Sequence, residues 1–264
     1  MSIQLFLWPI VFIQRTKRTM KKLVFLSLAL TATLFATAQT AKKPTKDWSK
    51  FDFTNRAADH LVIQYGSDSW LNKPTGLRTG NGFSRHFNVY FMFDKPVKSN
   101  PKYSVAFGAG LGTSHIFFDN TRVDFRSAAP TLQFTAVDSV DHFKKNKATS
   151  IYAEIPAEIR YYSNPENPNK SWKAAIGVKV GSLLKAYTKG KNLVNKQGES
   201  VYGTAYIEKN VTKRYINGTM LAVTGRVGYG SLSLHAGYQF NSILKEGFGP
   251  TMQRLSVGIT LSGL

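Results

Sequence analysis

The feature that most constrains this chain is a recurrent alternation of apolar and polar residues, with no comparable helical period in competition. Ile151, Ala153, Ile155, Ala157, Ile159 and Tyr161 alternate with Ser150, Tyr152, Glu154, Pro156, Glu158 and Arg160. Leu255, Val257, Ile259 and Leu261 alternate with Arg254, Ser256, Gly258 and Thr260. A period of two places successive side chains on opposite faces and marks β-strands. Eight such strands are expected, at roughly 60–67, 83–93, 102–117, 148–162, 171–185, 216–229, 232–241 and 252–262. The connections after the second, fourth and sixth are short: Asp94 to Pro101, Ser163 to Lys170, and the dipeptide Gly230-Ser231. Those after the first, third, fifth and seventh are mostly long, at about 68–82, 118–147, 186–215 and 242–251. Short turns at one end and long loops at the other characterise barrels that span an outer membrane, with the turns in the periplasm.

The two faces of the strands differ in a way that settles their surroundings. One carries Phe87, Val89, Phe91, Phe93, Tyr103, Val105, Phe107, Leu111, Trp172, Ile176, Val178 and Val180. The other carries His86, Asn88, Ser104, Gly108, Gly110, Glu154, Glu158, Lys173, Lys179, Arg226 and His235. Bulky apolar side chains outward suit lipid; small and charged ones suit a narrow interior. A soluble barrel or sandwich would need the reverse. The expectation is an all-β chain: an eight-stranded antiparallel up-and-down transmembrane β-barrel over residues 59–264, in the outer membrane of a Gram-negative bacterium.

Hairpin registers follow from the turns. Gly230-Ser231 is a favoured two-residue turn; it sets Tyr229 opposite Leu232 outside and Arg226 opposite His235 inside. Pairing Tyr161 with Trp172 would set Glu154 opposite Lys179, and Phe93 can meet Tyr103 across the second hairpin. Pro156 has no N–H to donate and is expected to mark a bulge. The inward Glu154, Glu158, Arg160, Lys173, Lys179, Arg226 and His235 are expected to form a structural polar network, because a buried charge needs a partner.

The N-terminus carries an export pattern. After Met20 come Lys21 and Lys22, an apolar run from Leu23 to about Phe35, and Ala36-Thr37-Ala38. Residues 1–38 therefore comprise an N-terminal extension and a cleaved signal peptide, with Met20 as the expected start and cleavage after Ala38. The run is shorter than the ~20 apolar residues a helical anchor needs. Residues 39–58 are polar and Lys-rich, a periplasmic leader. The full chain has a net charge of +20, and loss of the five basic side chains before residue 39 leaves +15. For an exported chain the counterpart of that charge is anionic lipid, glycan or phosphate rather than nucleic acid.

Three segments also carry a resemblance: KFDFTNRAADH from Lys50 to His60, GFSRHFNVYFMFD from Gly82 to Asp94, and YSVAFGAGLGTS from Tyr103 to Ser114. They resemble the PorT-like outer-membrane β-barrel family, and the likeness extends from about Phe51 to Leu264. The resemblance implies an outer-membrane barrel, in a family whose namesake is an accessory of a protein-secretion system. One departure is the C-terminus, Leu261-Ser-Gly-Leu264, where barrels often end in an aromatic residue read by the outer-membrane assembly machinery.

There is no cysteine, Walker loop, His-Glu-x-x-His or Gly-x-Ser-x-Gly. The five histidines show no metal-ligand spacing. Ser233 and His235 share a face, but residues two apart on a strand lie ~7 Å apart, beyond direct nucleophile–base contact. No catalytic residue, metal or cofactor is expected. The connection after the fifth strand holds Lys189, Lys191, Lys196, Lys209, Lys213 and Arg214 against Glu199 and Glu208. Lys189, Lys191 and Lys196 are expected to touch the phosphates of an anionic glycolipid. The expected function is structural or accessory, in envelope integrity or protein secretion, with secretion-system components as partners. A lipid-modifying barrel enzyme and a surface-binding module are the alternatives.

Overall fold

The computed structural model describes residues 60–80, 84–119, 121–123, 125–136 and 141–263. The expected N-terminal extension, signal peptide and leader, residues 1–58, lie outside the described residues. The strands are β1 (Leu61–Leu71), β2 (Arg78–Thr79), β3 (Arg85–Pro96), β4 (Tyr103–Asp119), β5 (Thr121–Val123), β6 (Phe134–Ala136), β7 (His142–Tyr162), β8 (Trp172–Val194), β9 (Ile207–Val211), β10 (Thr219–Tyr229), β11 (Leu232–Gln239) and β12 (Gln253–Ser262). Eight of them form a closed antiparallel ring in the order β1, β3, β4, β7, β8, β10, β11, β12 and back to β1. Each ring strand pairs with its neighbours in sequence, so the barrel is up-and-down. Closure leaves no unpaired edge among the spanning strands, which lipid would not tolerate.

The outward wall is apolar over the lower part of every long strand. Ile176 is 69% exposed, Leu234 63% and Trp172 62%. A continuous surface of that kind is stable against hydrocarbon and not against water. At the short-turn end the wall finishes in aromatic pairs, Tyr103 with Tyr161 at 5.4 Å and Trp172 with Tyr229 at 5.7 Å between ring centroids. That is where an interfacial girdle belongs.

Of the three expected hairpin registers one is observed and two are displaced. Tyr229 pairs with Leu232 and Arg226 with His235, because Gly230, at φ +59°, closes the two-residue turn. Tyr161 pairs with Ala174 rather than Trp172, and Glu154 with Gly181 rather than Lys179. The cause is the turn: Ser163 faces Trp172 through backbone and hydroxyl hydrogen bonds, and a 3-10 turn at Pro168–Lys170 fills the gap. Phe93 meets Phe107, not Tyr103, because β3 runs on to Pro96 and Val97 pairs with Tyr103. Every displacement is an even number of residues, so inward and outward faces are unchanged. Pro156 makes no bulge. Its rung with β4 is skipped and the register resumes unchanged at Glu154, whereas the bulge in the β7–β8 ladder lies between Ile151 and Tyr152.

Above the apolar wall the structure departs from the expected long connections. β7 and β8 continue their ladder to His142 and Val194, and β9 adds a third strand to β8. Lys189 and Lys191 therefore sit on a sheet extension; Lys196 lies in the exposed turn beyond it. The interior at this end is apolar, not polar as on the lower strands. Trp70, Ile116, Phe118, Val123, Phe125, Leu132, Tyr215, Leu244 and Met252 belong to one buried cluster. Tyr215 fastens it by donating its hydroxyl to the carbonyl of Ala129 at 3.1 Å and to that of Ser127. The long connections thus fold over the mouth of the barrel.

Candidate functional site

Strand alternation delivers the charged residues inward, and each is met by a complementary group. Glu154 lies 2.9 Å from Lys179 Nζ and accepts a hydrogen bond from Tyr90 Oη at 2.5 Å. Lys179 Nζ also donates to Tyr90 Oη at 3.1 Å. The pair forms diagonally across the β7–β8 ladder although the two residues are not directly opposite. Gly112 makes room for it: a Cβ there would stand 2.1 Å from Glu154 Oε1. Nearer the short turns, Glu158 accepts from Arg160 Nε at 2.9 Å and from Arg226 Nη2 at 3.1 Å. Arg160 reaches Asp94 at 3.5 Å, and Asp94 accepts from Ser104 Oγ at 2.6 Å. Lys173 lies over the Tyr162 ring at 5.6 Å. These contacts bring Glu154, Glu158, Arg160, Lys173, Lys179 and Arg226 into the interior in two charged layers.

His235 belongs to a third group, which the sequence reading missed. Asp68 Oδ1 is 2.8 Å from His86 Nδ1, and His86 Nε2 is 2.8 Å from His235 Nε2. His235 Nδ1 is 2.9 Å from Thr260 Oγ1, which accepts from Gln64 Nε2 at 3.3 Å; Gln64 Oε1 accepts from Asn88 Nδ2 at 3.1 Å. Ser256 donates to Asp68 Oδ1 at 2.6 Å and Ser114 donates to Oδ2. One proton arrangement gives each of these hydroxyl and ring protons an acceptor. His86 Nδ1 donates to Asp68, His235 Nε2 donates to His86 Nε2, and Thr260 donates to His235 Nδ1. Both ring nitrogens of His235 are thus committed, and Ser233 Oγ hydrogen-bonds none of the described residues. The signal available in the sequence was parity: Asp68 shares the inward face with Gln64 once β1 is carried past residue 67.

Between the polar interior and the apolar mouth lies a cavity of about 20 Å³, lined by Trp70, Ser114, Thr149, Tyr152, Gln239 and Arg254 among others. It has room for about one water molecule. Among the described residues no group of three or more His, Cys, Asp or Glu is arranged to hold a metal ion.

A second candidate lies outside. Phe117, Lys145, Asn146, Lys147, Lys189 and Lys191 line a groove of about 280 Å³ on the sheet extension. Lys147 stands opposite Lys189, Lys189 opposite Lys209, and Lys145 opposite Lys191. Of the three lysines expected to meet anionic glycolipid, Lys189 and Lys191 are here and Lys196 is not. Sequence reasoning missed Lys145 and Lys147 as partners of these lysines, because the ends of β7 and β8 that align them fall in the expected long connections.

Comparison with curated proteins found no match. Among solved structures the chain is similar to the crystal structure of Ail, the attachment invasion locus protein of Yersinia pestis, at 15% identity and a TM-score of 0.30. That match covers 76% of this chain and 94% of the other. A second match, at 12% identity, the same coverage and a TM-score of 0.30, is Ail in complex with the heparin analogue sucrose octasulfate. The family model for the outer membrane protein beta-barrel domain matches residues 60–247. With its closed ring, lipid-facing wall and filled interior, this outer-membrane protein belongs to the outer membrane protein beta-barrel domain family.

Proposed function

We propose that the protein is a non-catalytic barrel of structural or accessory type, which acts through its outer surface and not through a pore or a reaction centre. The observation that carries this reading is the state of the interior. The carboxylates of Asp68, Asp94, Glu154 and Glu158 are each bound by barrel donors. The imidazole pair is spent on neighbours, and the mouth is packed with apolar side chains. Such a plug gives rigidity and leaves a solute no path and a substrate no approach. The resemblance to the PorT-like family gives the accessory direction, with secretion-system components and the assembly machinery as partners.

The test is a deletion strain, complemented in turn by the parent and by a variant with the 195–206 turn between β8 and β9 shortened. The reading expects altered envelope sensitivity or altered secreted proteins on deletion, restored by the parent and not by the shortened variant. Lipid composition should be the same in all strains. A changed lipid product that depends on the protein would instead support the enzyme reading.

A further inference from the structure

We propose that the outer face of the β7–β8 extension binds the phosphorylated headgroup of a lipid in the surrounding outer leaflet, held by Lys145, Lys147, Lys189 and Lys191 beside Phe117. The proposal rests on the reading of the chain as a membrane-embedded barrel. Like charges directly opposite each other in a sheet destabilise it, yet the rungs Lys145–Lys191, Lys147–Lys189 and Lys189–Lys209 repeat that arrangement. Among the described residues none of the four groove lysines has a carboxylate within ion-pair distance. Glu208, next to Lys209 in sequence, is engaged by Asn210 at 2.9 Å and by Arg126 at 3.6 Å. The four lysines converge on one groove, so a single multiply charged anion can neutralise them together with charge-assisted hydrogen bonds.

Position selects the source of that anion. The groove lies on the outward face, directly above the apolar wall of Leu111, Val180 and Leu184. Along β8, Lys189 is four residues above Lys185, about 13 Å of strand, or ~9 Å of height at the usual tilt. That carries Lys189 to the outer edge of a polar headgroup layer, which is about 5–8 Å deep on each side of the hydrocarbon. A molecule with an anionic head and acyl tails satisfies the groove and the wall at once; a free anion satisfies only the groove. Phe117 supplies an apolar floor, with Lys147 at 5.5 Å and Arg85 at 5.8 Å from its ring centroid.

The experiment uses the full barrel purified from outer membranes and reconstituted in nanodiscs containing phosphorylated glycolipid or the same lipid dephosphorylated. The ladder variant carries Lys145→Gln, Lys147→Gln, Lys189→Gln and Lys191→Gln. The control removes the same charge elsewhere, with Lys98→Gln, Lys102→Gln, Lys196→Gln and Lys213→Gln. Retained phosphorylated lipid per barrel should fall about tenfold or more in the ladder variant and stay unchanged in the control. Dephosphorylated lipid should be retained poorly by both, and millimolar inorganic phosphate should not displace the bound lipid. Lys147→Glu alone, which gives Lys189 an internal partner, should also lose the lipid and guards against a misfolded quadruple variant. Equal retention by parent and ladder variant overturns the proposal, and displacement by inorganic phosphate overturns the lipid assignment. Unheated and boiled samples compared on denaturing gels report the barrel separately, so failure of the fold and failure of the site are distinguishable.

Discussion

Lys179 and Lys189 lie on one strand, ten residues apart, and meet opposite electrostatic conditions. Lys179 points into the barrel, its side chain 12% exposed, and holds Glu154 at 2.9 Å. Lys189 points outward, and its two cross-strand neighbours are lysines. An interior charge has no water to rely on, so the fold supplies its counter-charge from the same chain. An outward charge at the membrane surface can take its counter-charge from the surroundings. The difference separates a cation neutralised within the chain from one whose neighbours across the sheet carry the same charge.

The largest effect should come from splitting the interior pair. Lys179→Met leaves Glu154 buried without its cation and should cost roughly 3–5 kcal/mol. Adding Glu154→Gln should restore part of that loss, as read from urea unfolding in detergent. Additive effects in the double-mutant cycle would mean the two side chains do not interact. Asp68→Asn should cost less, about 1–3 kcal/mol, because the amide turns an N–H toward a donor that Asp68 now satisfies. Unchanged stability would place the histidine chain outside the folded network. The smallest effect should have the opposite sign. Lys191→Glu puts an acid opposite Lys145 and should stabilise the lipid-free barrel by roughly 0.2–1 kcal/mol. A loss of stability there would contradict the unneutralised ladder and with it the contrast between the two lysines.

How much of this was legible beforehand depended on range. The strands and their faces were, because alternation is local and survives any even slip in register. The Gly230-Ser231 hairpin was legible in full, since two residues leave the chain no choice of pairing. The longer turn around Ser163 and Ser171 left that choice open and was misjudged by two residues. Asp68, His86 and His235 come from three strands, and no local spacing could bring them together. The packing of Tyr215 under Phe125 and Phe248 joins three distant connections for the same reason. The lysine ladder was half visible: a basic stretch was evident, but only the β7–β8 register shows that its charges face one another.

On the proposed reading the barrel is closed along its described length, by ion pairs and imidazoles below and by apolar side chains above. Current through the purified protein in planar bilayers tests it most directly. No steady single-channel steps are expected at moderate voltage, for the parent and for the Lys191→Glu variant alike. Large, steady, ohmic steps from the folded parent protein would contradict it.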